Sequence, residues 1–147
     1  MTVKHLTLKN QDSYNITAKT FAGLESVLAE EIKQTGGKEI ITGRRAVYYK
    51  GNLETIYKSN YVLRTALRIL REINTFKFRD LHQFYTKCKE VDWSRYLNVD
   101  QKFVINSTVF NSKDFRNSMF ASLKVKDAIA DHFREATGKR PDVNTTT

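Results

Sequence analysis

The sequence contains few cysteines, prolines and glycines, and it has no long hydrophobic run. Its 147 residues include one cysteine, one proline and six glycines. A lone cysteine excludes an internal disulfide and a zinc site built from several cysteines, and it is typical of a reducing compartment. No apolar run reaches the ~18 residues of a membrane span, and residues 1–10 lack the pattern of a secretion signal. These absences predict a soluble protein of the cytoplasm.

Acidic residues are also scarce relative to basic ones. Lys and Arg number 25 against 16 Asp and Glu, which gives a formal net charge of +9 at pH 7. Much of the excess lies in residues 44–71, where Glu54 is the only acid. Nucleic acid is the usual partner of such a basic domain, because neutralised phosphates release counterions. Lysine and arginine are also ordinary solvated surface residues, so charge alone leaves open a surface that binds nothing.

Hydrophobic periodicity divides residues 14–76 into six elements. Alternating apolar residues predict four strands, and apolar residues at three- and four-residue steps predict two helices. The strands are expected at 14–20, 38–42, 46–51 and 67–76, and the helices at 23–35 and 53–61. Asn52 is a candidate N-cap of the second helix. Residues 43–45 are expected to form a hairpin turn, with Gly43 at the position that requires a positive φ. The order β-α-β-β-α-β is that of a ferredoxin-like split βαβ unit, an α+β fold.

A second pattern begins near residue 77. Helices are expected at 81–88, capped by Asp80, and at 118–136, ended by Gly138, with a strand at 102–110. One strand leaves such a unit short of pairing partners, and residues 143–147 have the β-branched composition of a strand that is beginning. We therefore expect the sequence to be a piece of a longer protein.

Motifs of catalysis are missing from the sequence. It has no G-x-G-x-x-G after a strand, no G-x-x-x-x-G-K-[ST] loop and no H-E-x-x-H helix. Cys88 ends an apolar helical stripe and His132 shares one with Phe133, so we interpret both as packing residues. Asp127 and Asp131 lie four residues apart on a helix, where a solvated face explains them better than an acid–base pair. The sequence predicts neither a catalytic centre nor a metal site.

The segment 111–127, a polar loop that runs into a helix, is the best candidate binding site. The N–H groups at the start of a helix have no intrahelical partner and suit a phosphate. Arg116 stands just before this start and could grip a phosphate with two hydrogen bonds. Asn117 and Ser118 could equally serve as caps, and Arg140, beyond the other end, could complement the helix dipole. Aromatic residues interleave the basic ones, either as stacking platforms or as core: Tyr48, Tyr49, Phe110, Phe115 and Phe120.

Several segments together resemble one known family. They are Phe21-Ala-Gly-Leu-Glu25, Val47-Tyr-Tyr-Lys-Gly51, the pair Asp92-Trp93, and above all the block from Arg116-Asn-Ser to Ile129, followed by Arg140-Pro141. In these segments the chain resembles the N-terminal part of bacterial 23S rRNA guanine-N2 methyltransferases, which contain a THUMP domain and are often labelled N6-adenine-specific methylases. The resemblance covers about residues 14–147, and its specific part is the block 116–129.

The resemblance implies a domain order and a function. It implies an N-terminal extension at 1–13, a ferredoxin-like domain at 14–76 and, at 77–147, a THUMP domain that lacks its closing strands. In the family, a separate catalytic domain binds S-adenosylmethionine and carries an N-P-P-[YF] motif. The chain is thus expected to bind and position rRNA, to need no cofactor itself and to supply no catalytic residue. The RNA-binding candidates are Arg116, Asn117, Ser118, Lys113, Lys124, Lys126, Arg140, Arg44 and Arg45.

Two alternatives remain open on the sequence. THUMP domains also occur in enzymes that methylate or thiolate tRNA, so the RNA could be tRNA. Ferredoxin-like units often associate through sheet edges, so the chain could instead be a protein-interaction or dimerisation module. The oligomeric state and the target nucleotide are left undetermined.

Overall fold

A computed structural model describes residues 13–142 and separates them into two compact units, which join in the chain between Ile73 and Asn74. The first unit contains β1 (Tyr14–Lys19), α1 (Glu25–Gln34), β2 (Lys38–Gly43), β3 (Ala46–Gly51), α2 (Leu53–Val62) and β4 (Arg68–Arg71). The second contains α3 (Leu81–Glu90), a short 3₁₀ turn (Trp93–Arg95) and α4 (Ser118–Thr137). The α+β class and the order β-α-β-β-α-β are confirmed. The expected strand at 143–147 lies outside the described residues.

The first unit has one antiparallel sheet with the strand order β2-β3-β1-β4. Strands β1 and β3 thus lie in the centre of the sheet, and β2 and β4, the two strands that follow helices, form its edges, as in the split βαβ arrangement. One face of the sheet packs against α1 and α2, and the buried side chains between them form the core: Ile16, Ala18, Leu28, Ile32, Val47 and Tyr49. As predicted, Asn52 caps α2, since its side-chain oxygen accepts the Thr55 N–H at 2.9 Å.

The turn between β2 and β3 differs from the prediction. Gly43 still pairs with Ala46, so the turn is only two residues long, and Arg45 adopts the left-handed conformation with φ +57°. The expectation that Gly43 would take the permissive position is therefore wrong. Two backbone contacts hold Arg45: its N–H donates to Glu25 Oε1 at 2.9 Å, and its carbonyl accepts the Thr20 N–H at 3.0 Å.

Strand β4 is shorter than the predicted 67–76. It pairs only with β1, and its backbone contacts run from Leu67 N–H on the Lys19 carbonyl to Glu72 N–H on the Asn15 carbonyl. The paired residues end with Arg71 opposite Ile16, although β1 continues to Tyr14. Where pairing between two strands stops is a property of the sheet that periodicity does not report.

Glu31 on α1 ties down the connection between α2 and β4. Its carboxylate accepts the Thr65 hydroxyl at 2.6 Å, the Thr65 N–H at 3.2 Å and the Arg64 N–H at 3.4 Å. Burial raises the pKa of Glu31, but the hydrogen bonds from Thr65 and Arg64 outweigh it and the pKa is lowered overall. The folded chain thus holds this carboxylate ionised more firmly than the unfolded chain does.

We expect Glu31→Gln to lower the free energy of unfolding by about 1–2 kcal/mol at pH 7, because charge-assisted bonds are lost. A lowered folded-state pKa stabilises the fold above the unfolded value, and this contribution is lost as pH falls through the folded value. The gap between wild type and Glu31→Gln should therefore narrow towards pH 3, as measured by urea denaturation. Glu30→Gln, at an exposed neighbour, is the control. A constant gap from pH 7 to pH 3 would refute this assignment.

In the second unit, residues 102–110 do not form the predicted strand. Within the described residues only Phe103 makes an isolated bridge, and its N–H lies 3.4 Å from the Asp142 carbonyl oxygen. The side chains nevertheless alternate between inside and outside along the whole segment. Phe103 and Ile105 contact a core cluster with Ile129 and Phe133, whereas Val104 is exposed. The apolar pattern is therefore real, but a strand also needs a neighbour to pair its backbone groups.

Helices α3 and α4 pack against each other through polar contacts. The Tyr85 hydroxyl donates to Asp131, and Lys89 forms an ion pair with Glu135. His132 Nδ1 lies 3.0 Å from the Lys89 carbonyl oxygen. The expectation that Asp131 belongs to a solvated face is therefore wrong: this side of α4 faces α3. The hydrogen bond to Asp131, with burial, raises the pKa of Tyr85 to about 12, so the phenol stays protonated as the donor.

Candidate functional site

The loop before α4 positions the main candidate residues. Asn117 is the N-cap of α4: its side-chain oxygen accepts the Phe120 N–H at 2.8 Å, and Ser118 is the first helical residue. Lys113 and Arg116 are exposed, and neither forms an ion pair with any residue between 13 and 142. The loop therefore presents two cations and the start of a helix to solvent.

A buried phenylalanine anchors this loop. Phe115 is 6% exposed, and its ring lies edge-on to Phe84 at 4.8 Å and to Phe78 at 5.9 Å between centroids. Its N–H also donates to the Ser112 hydroxyl at 3.1 Å. Arg116 follows the buried ring directly, so the packing of Phe115 sets where the guanidinium emerges. Phe115 thus packs as core and not as a stacking platform, whereas Phe110 is 85% exposed.

The other candidates in the second unit do not gather at the loop. Lys124 lies almost two turns into α4, and its Nζ is 5.6 Å from the centre of the Phe120 ring. Lys126 is two residues further, which places it about 200° around the helix from Lys124, and it forms an ion pair with Asp127 at 3.5 Å. Arg140 lies beyond Gly138 at the opposite end of the 20-residue helix, about 30 Å from its start. Lys113 and Arg116 thus share one loop, whereas Lys126 and Arg140 lie away from it.

The first unit holds the two remaining candidates and two of the aromatic residues. Arg44 and Arg45 form the exposed turn between β2 and β3. Tyr48 and Tyr49 alternate on β3: Tyr49 is buried and donates to the Ser59 hydroxyl at 2.8 Å, whereas Tyr48 is 46% exposed. Tyr49 is thus part of the core, whereas Tyr48 faces solvent on the opposite face of the sheet.

Cys88 lies in an environment that disfavours reactivity. Cys88 is buried, which raises the pKa of its thiol to about 11, so the nucleophilic thiolate is not populated at neutral pH. Between residues 13 and 142, no three His, Cys, Asp or Glu side chains come together in a way that could hold a metal ion. In the same part of the chain, none of the helices combines the length and apolar character that a membrane span requires.

Comparison with known proteins assigns both units. Residues 15–70 match the family model of the RlmL ferredoxin-like domain, and residues 78–147 match the THUMP domain. The "Ribosomal RNA large subunit methyltransferase K/L" of Desulfotalea psychrophila is 32% identical over 92% of this chain and 19% of its own length. The protein of the same name from Psychromonas ingrahamii is 35% identical over 84% of this chain and 16% of its own. The chain belongs to the RlmL-type family and contains its ferredoxin-like domain and its THUMP domain.

Solved structures agree with this family assignment. A crystal structure of a possible methylase from Clostridium difficile matches 89% of this RlmL-type chain with a TM-score of 0.77 and 27% identity. A second, solved as a complex with SAH, matches 90% with the same TM-score and 28% identity. The chain spans only 36% of each of these and less than a fifth of the curated relatives above.

S-adenosylmethionine does not fit the described residues of this RlmL-type chain. Nucleotide cofactors of open α/β sheets bind in a crevice at the carboxyl ends of parallel strands, but the sheet here is antiparallel. Among the described residues of the second unit, an open groove lies beside Lys87 and Val91, and the aromatic ring that lines it is that of Phe76. That ring already packs against Phe84, with Lys87 Nζ 5.8 Å from its centre. The ring is therefore already engaged by side chains of the protein.

Proposed function

We propose that this chain is the RNA-binding N-terminal part of an S-adenosylmethionine-dependent 23S rRNA guanine-N2 methyltransferase. The observation that carries the proposal is that an RlmL-type ferredoxin-like domain and a THUMP domain follow each other in this chain. The relatives that match across both domains are named as large-subunit rRNA methyltransferases. In this proposal the ferredoxin-like domain spans 14–76 and the THUMP domain 77–147, and methyl transfer takes place in another domain of the parent protein, in the cytoplasm.

The chain's own contribution is to hold the RNA in place. Contacts to phosphates fix the register and orientation of a nucleic acid without reading its sequence. Holding a substrate in a reactive geometry replaces an encounter in solution by a step within one complex, which lowers the barrier of the chemical reaction. The exposed cations of the loop, Lys113 and Arg116, suit such phosphate contacts, and Lys124 is a further cation about two turns along α4.

Charge reversal at the loop tests the proposal. We expect Arg116→Glu combined with Lys124→Glu to weaken binding of an rRNA hairpin about tenfold, because two phosphate contacts are lost and a repulsion is added. The plot of log affinity against log salt should also become shallower by about two, one for each lost contact. Fluorescence anisotropy titrations at several salt concentrations measure both quantities.

The control changes the same charge elsewhere in the same domain. Lys77→Glu with Lys102→Glu alters two exposed lysines outside the candidate loop, and the salt slope should change less. Equal slopes for wild type and the Arg116/Lys124 variant would reject this surface. Tighter binding of a tRNA acceptor stem than of the rRNA hairpin would favour a tRNA-modifying parent. A stable dimer without RNA affinity at low salt would favour an interaction module.

A further inference from the structure

The exposed face of the sheet in the first unit carries one apolar row that crosses all four strands. The strand register places Ile41 of β2 beside Tyr48 of β3, Tyr48 beside Thr17 of β1, and Thr17 beside Leu70 of β4. These four residues alternate with the buried ones along their strands, so they share the face opposite the core. Ile41 is 64% exposed, Tyr48 46% and Leu70 42%. The row is therefore a strip of apolar and aromatic surface in contact with solvent.

Cations flank this row on both sides. Two residues further along β1 and β4, about 7 Å away, Lys19 lies directly opposite Arg68. On the other side Lys38 lies opposite Lys50. Like charges directly opposite each other on neighbouring strands destabilise a sheet. Among residues 13–142, Glu39 forms an ion pair with Lys50 at 2.6 Å, whereas Lys19, Lys38 and Arg68 form none.

The ring of Tyr48 is held close to the sheet. A Cβ atom added to Gly43 would lie 2.6 Å from Tyr48 Cε2, so the ring occupies the space that a side chain at 43 would fill. Gly43 and Ile41 are on the same face of β2 as the Tyr48 ring. The absence of a side chain at Gly43 thus lets the ring lie against the backbone, which restricts its freedom before any ligand arrives.

We propose that this face of the ferredoxin-like domain binds a short single-stranded RNA segment, with a base stacked on Tyr48 and phosphates held by the flanking cations. An exposed aromatic ring between basic residues is the combination that binds single strands. Bases of a duplex are already stacked and cannot reach the ring, which excludes helical RNA here. An apolar protein partner would cover Lys19 and Arg68 without compensating their charge. The proposal rests on the proposed function, since it assumes that the chain binds RNA.

The test compares two exposed tyrosines of the same unit. Tyr48→Leu removes the ring but keeps an apolar side chain, and Tyr61→Leu does the same on α2, where Tyr61 is 93% exposed. The probe is a labelled oligouridine of about ten nucleotides, within the usual site size of single-strand binders. We expect Tyr48→Leu to weaken its binding about tenfold, as loss of one base stack does, and Tyr61→Leu to leave it unchanged. Binding of a fully paired RNA duplex without a loop should be the same for both variants.

A second variant tests the cations without touching the ring. Lys19→Gln with Arg68→Gln should make the salt dependence of oligouridine binding shallower by about two. Its thermal stability should not fall, because it removes a pair of like charges. Oligouridine binding that is equal for wild type and Tyr48→Leu, or weakened equally by Tyr61→Leu, would overturn the inference. If the wild type binds the hairpin but not oligouridine, the inference is overturned and the proposed function stands. A wild type that binds neither RNA would overturn both.

Discussion

Phe115→Ala is expected to lower the free energy of unfolding by about 3–5 kcal/mol, the usual cost of removing a buried phenylalanine. Phe115 is 6% exposed and lies edge-on to both Phe84 and Phe78. Such aromatic pairs contribute about 0.5–1.5 kcal/mol beyond the burial of area. The affinity for the rRNA hairpin should fall as well, because the loop that carries Arg116 loses the side chain that anchors it.

Phe110→Ala is the matched control for this prediction. The residue type is the same and the segment is close in sequence, but Phe110 is 85% exposed, so the stability should change by less than about 0.5 kcal/mol. Urea denaturation followed by the fluorescence of Trp93, which packs against the core cluster of the second unit, measures both variants. Similar midpoints for Phe115→Ala and Phe110→Ala would contradict the anchoring role. So would hairpin binding by folded Phe115→Ala that matches wild type.

The sequence predicts the ends of a helix well when they are set by residues that are close in the chain. Helix α4 was predicted at 118–136 and is observed at Ser118–Thr137. Its ends follow from Asn117, whose side chain caps the first turn, and from Gly138, which takes φ +72°. A polar cap and a permissive glycine act over three or four residues, so the sequence shows them directly.

Pairing partners could not be predicted in the same way. The segment 102–110 alternates as a strand should, yet only Phe103 makes a bridge within the described residues. Strand β4 is paired with β1 only from Arg68 to Arg71 and is shorter than the apolar pattern predicts. The positive φ fell on Arg45 and not on Gly43, because contacts from Glu25 and Thr20 hold the turn. Each difference depends on a residue distant in the sequence, which periodicity does not identify.

The same limit applies to the candidate binding residues. Helical periodicity alone places Lys124 and Lys126 on different sides of α4. The prediction that both act together with Arg116 is inconsistent with that periodicity. The cross-strand pair of Lys19 and Arg68 was not among the candidates. Its sequence signal is a basic residue on the outward side of each of two strands, but only the strand register shows that these residues are neighbours. Tyr48 was noted as an aromatic between basic residues, and alternation with the buried Tyr49 places it outside.

In the first unit, Ile32→Ala is expected to lower the free energy of unfolding by about 2–5 kcal/mol, and we expect a value in the upper half of that range. Ile32 is fully buried on α1, where the space around it cannot readily close. The neighbouring Tyr49 is tethered through its hydroxyl to Ser59 at 2.8 Å, and the adjacent Gly37 has no side chain to move inward. Ile32→Val, which removes one methyl group, should cost about 0.5–1.5 kcal/mol. Urea denaturation followed by circular dichroism gives both values.

The close approach at Gly37 allows a more specific test of this packing. A Cβ atom at Gly37 would lie 2.5 Å from Ile32 Cγ2 and 2.9 Å from Tyr49 Cδ2, so Gly37→Ala alone should destabilise the fold by about 1–3 kcal/mol. In the Ile32→Ala background the nearer of these two contacts is gone, and the new methyl group can occupy part of the cavity. The double variant should therefore be more stable than the sum of the two single changes by about 1 kcal/mol or more. Strict additivity would show that Ile32 and Gly37 do not share this space.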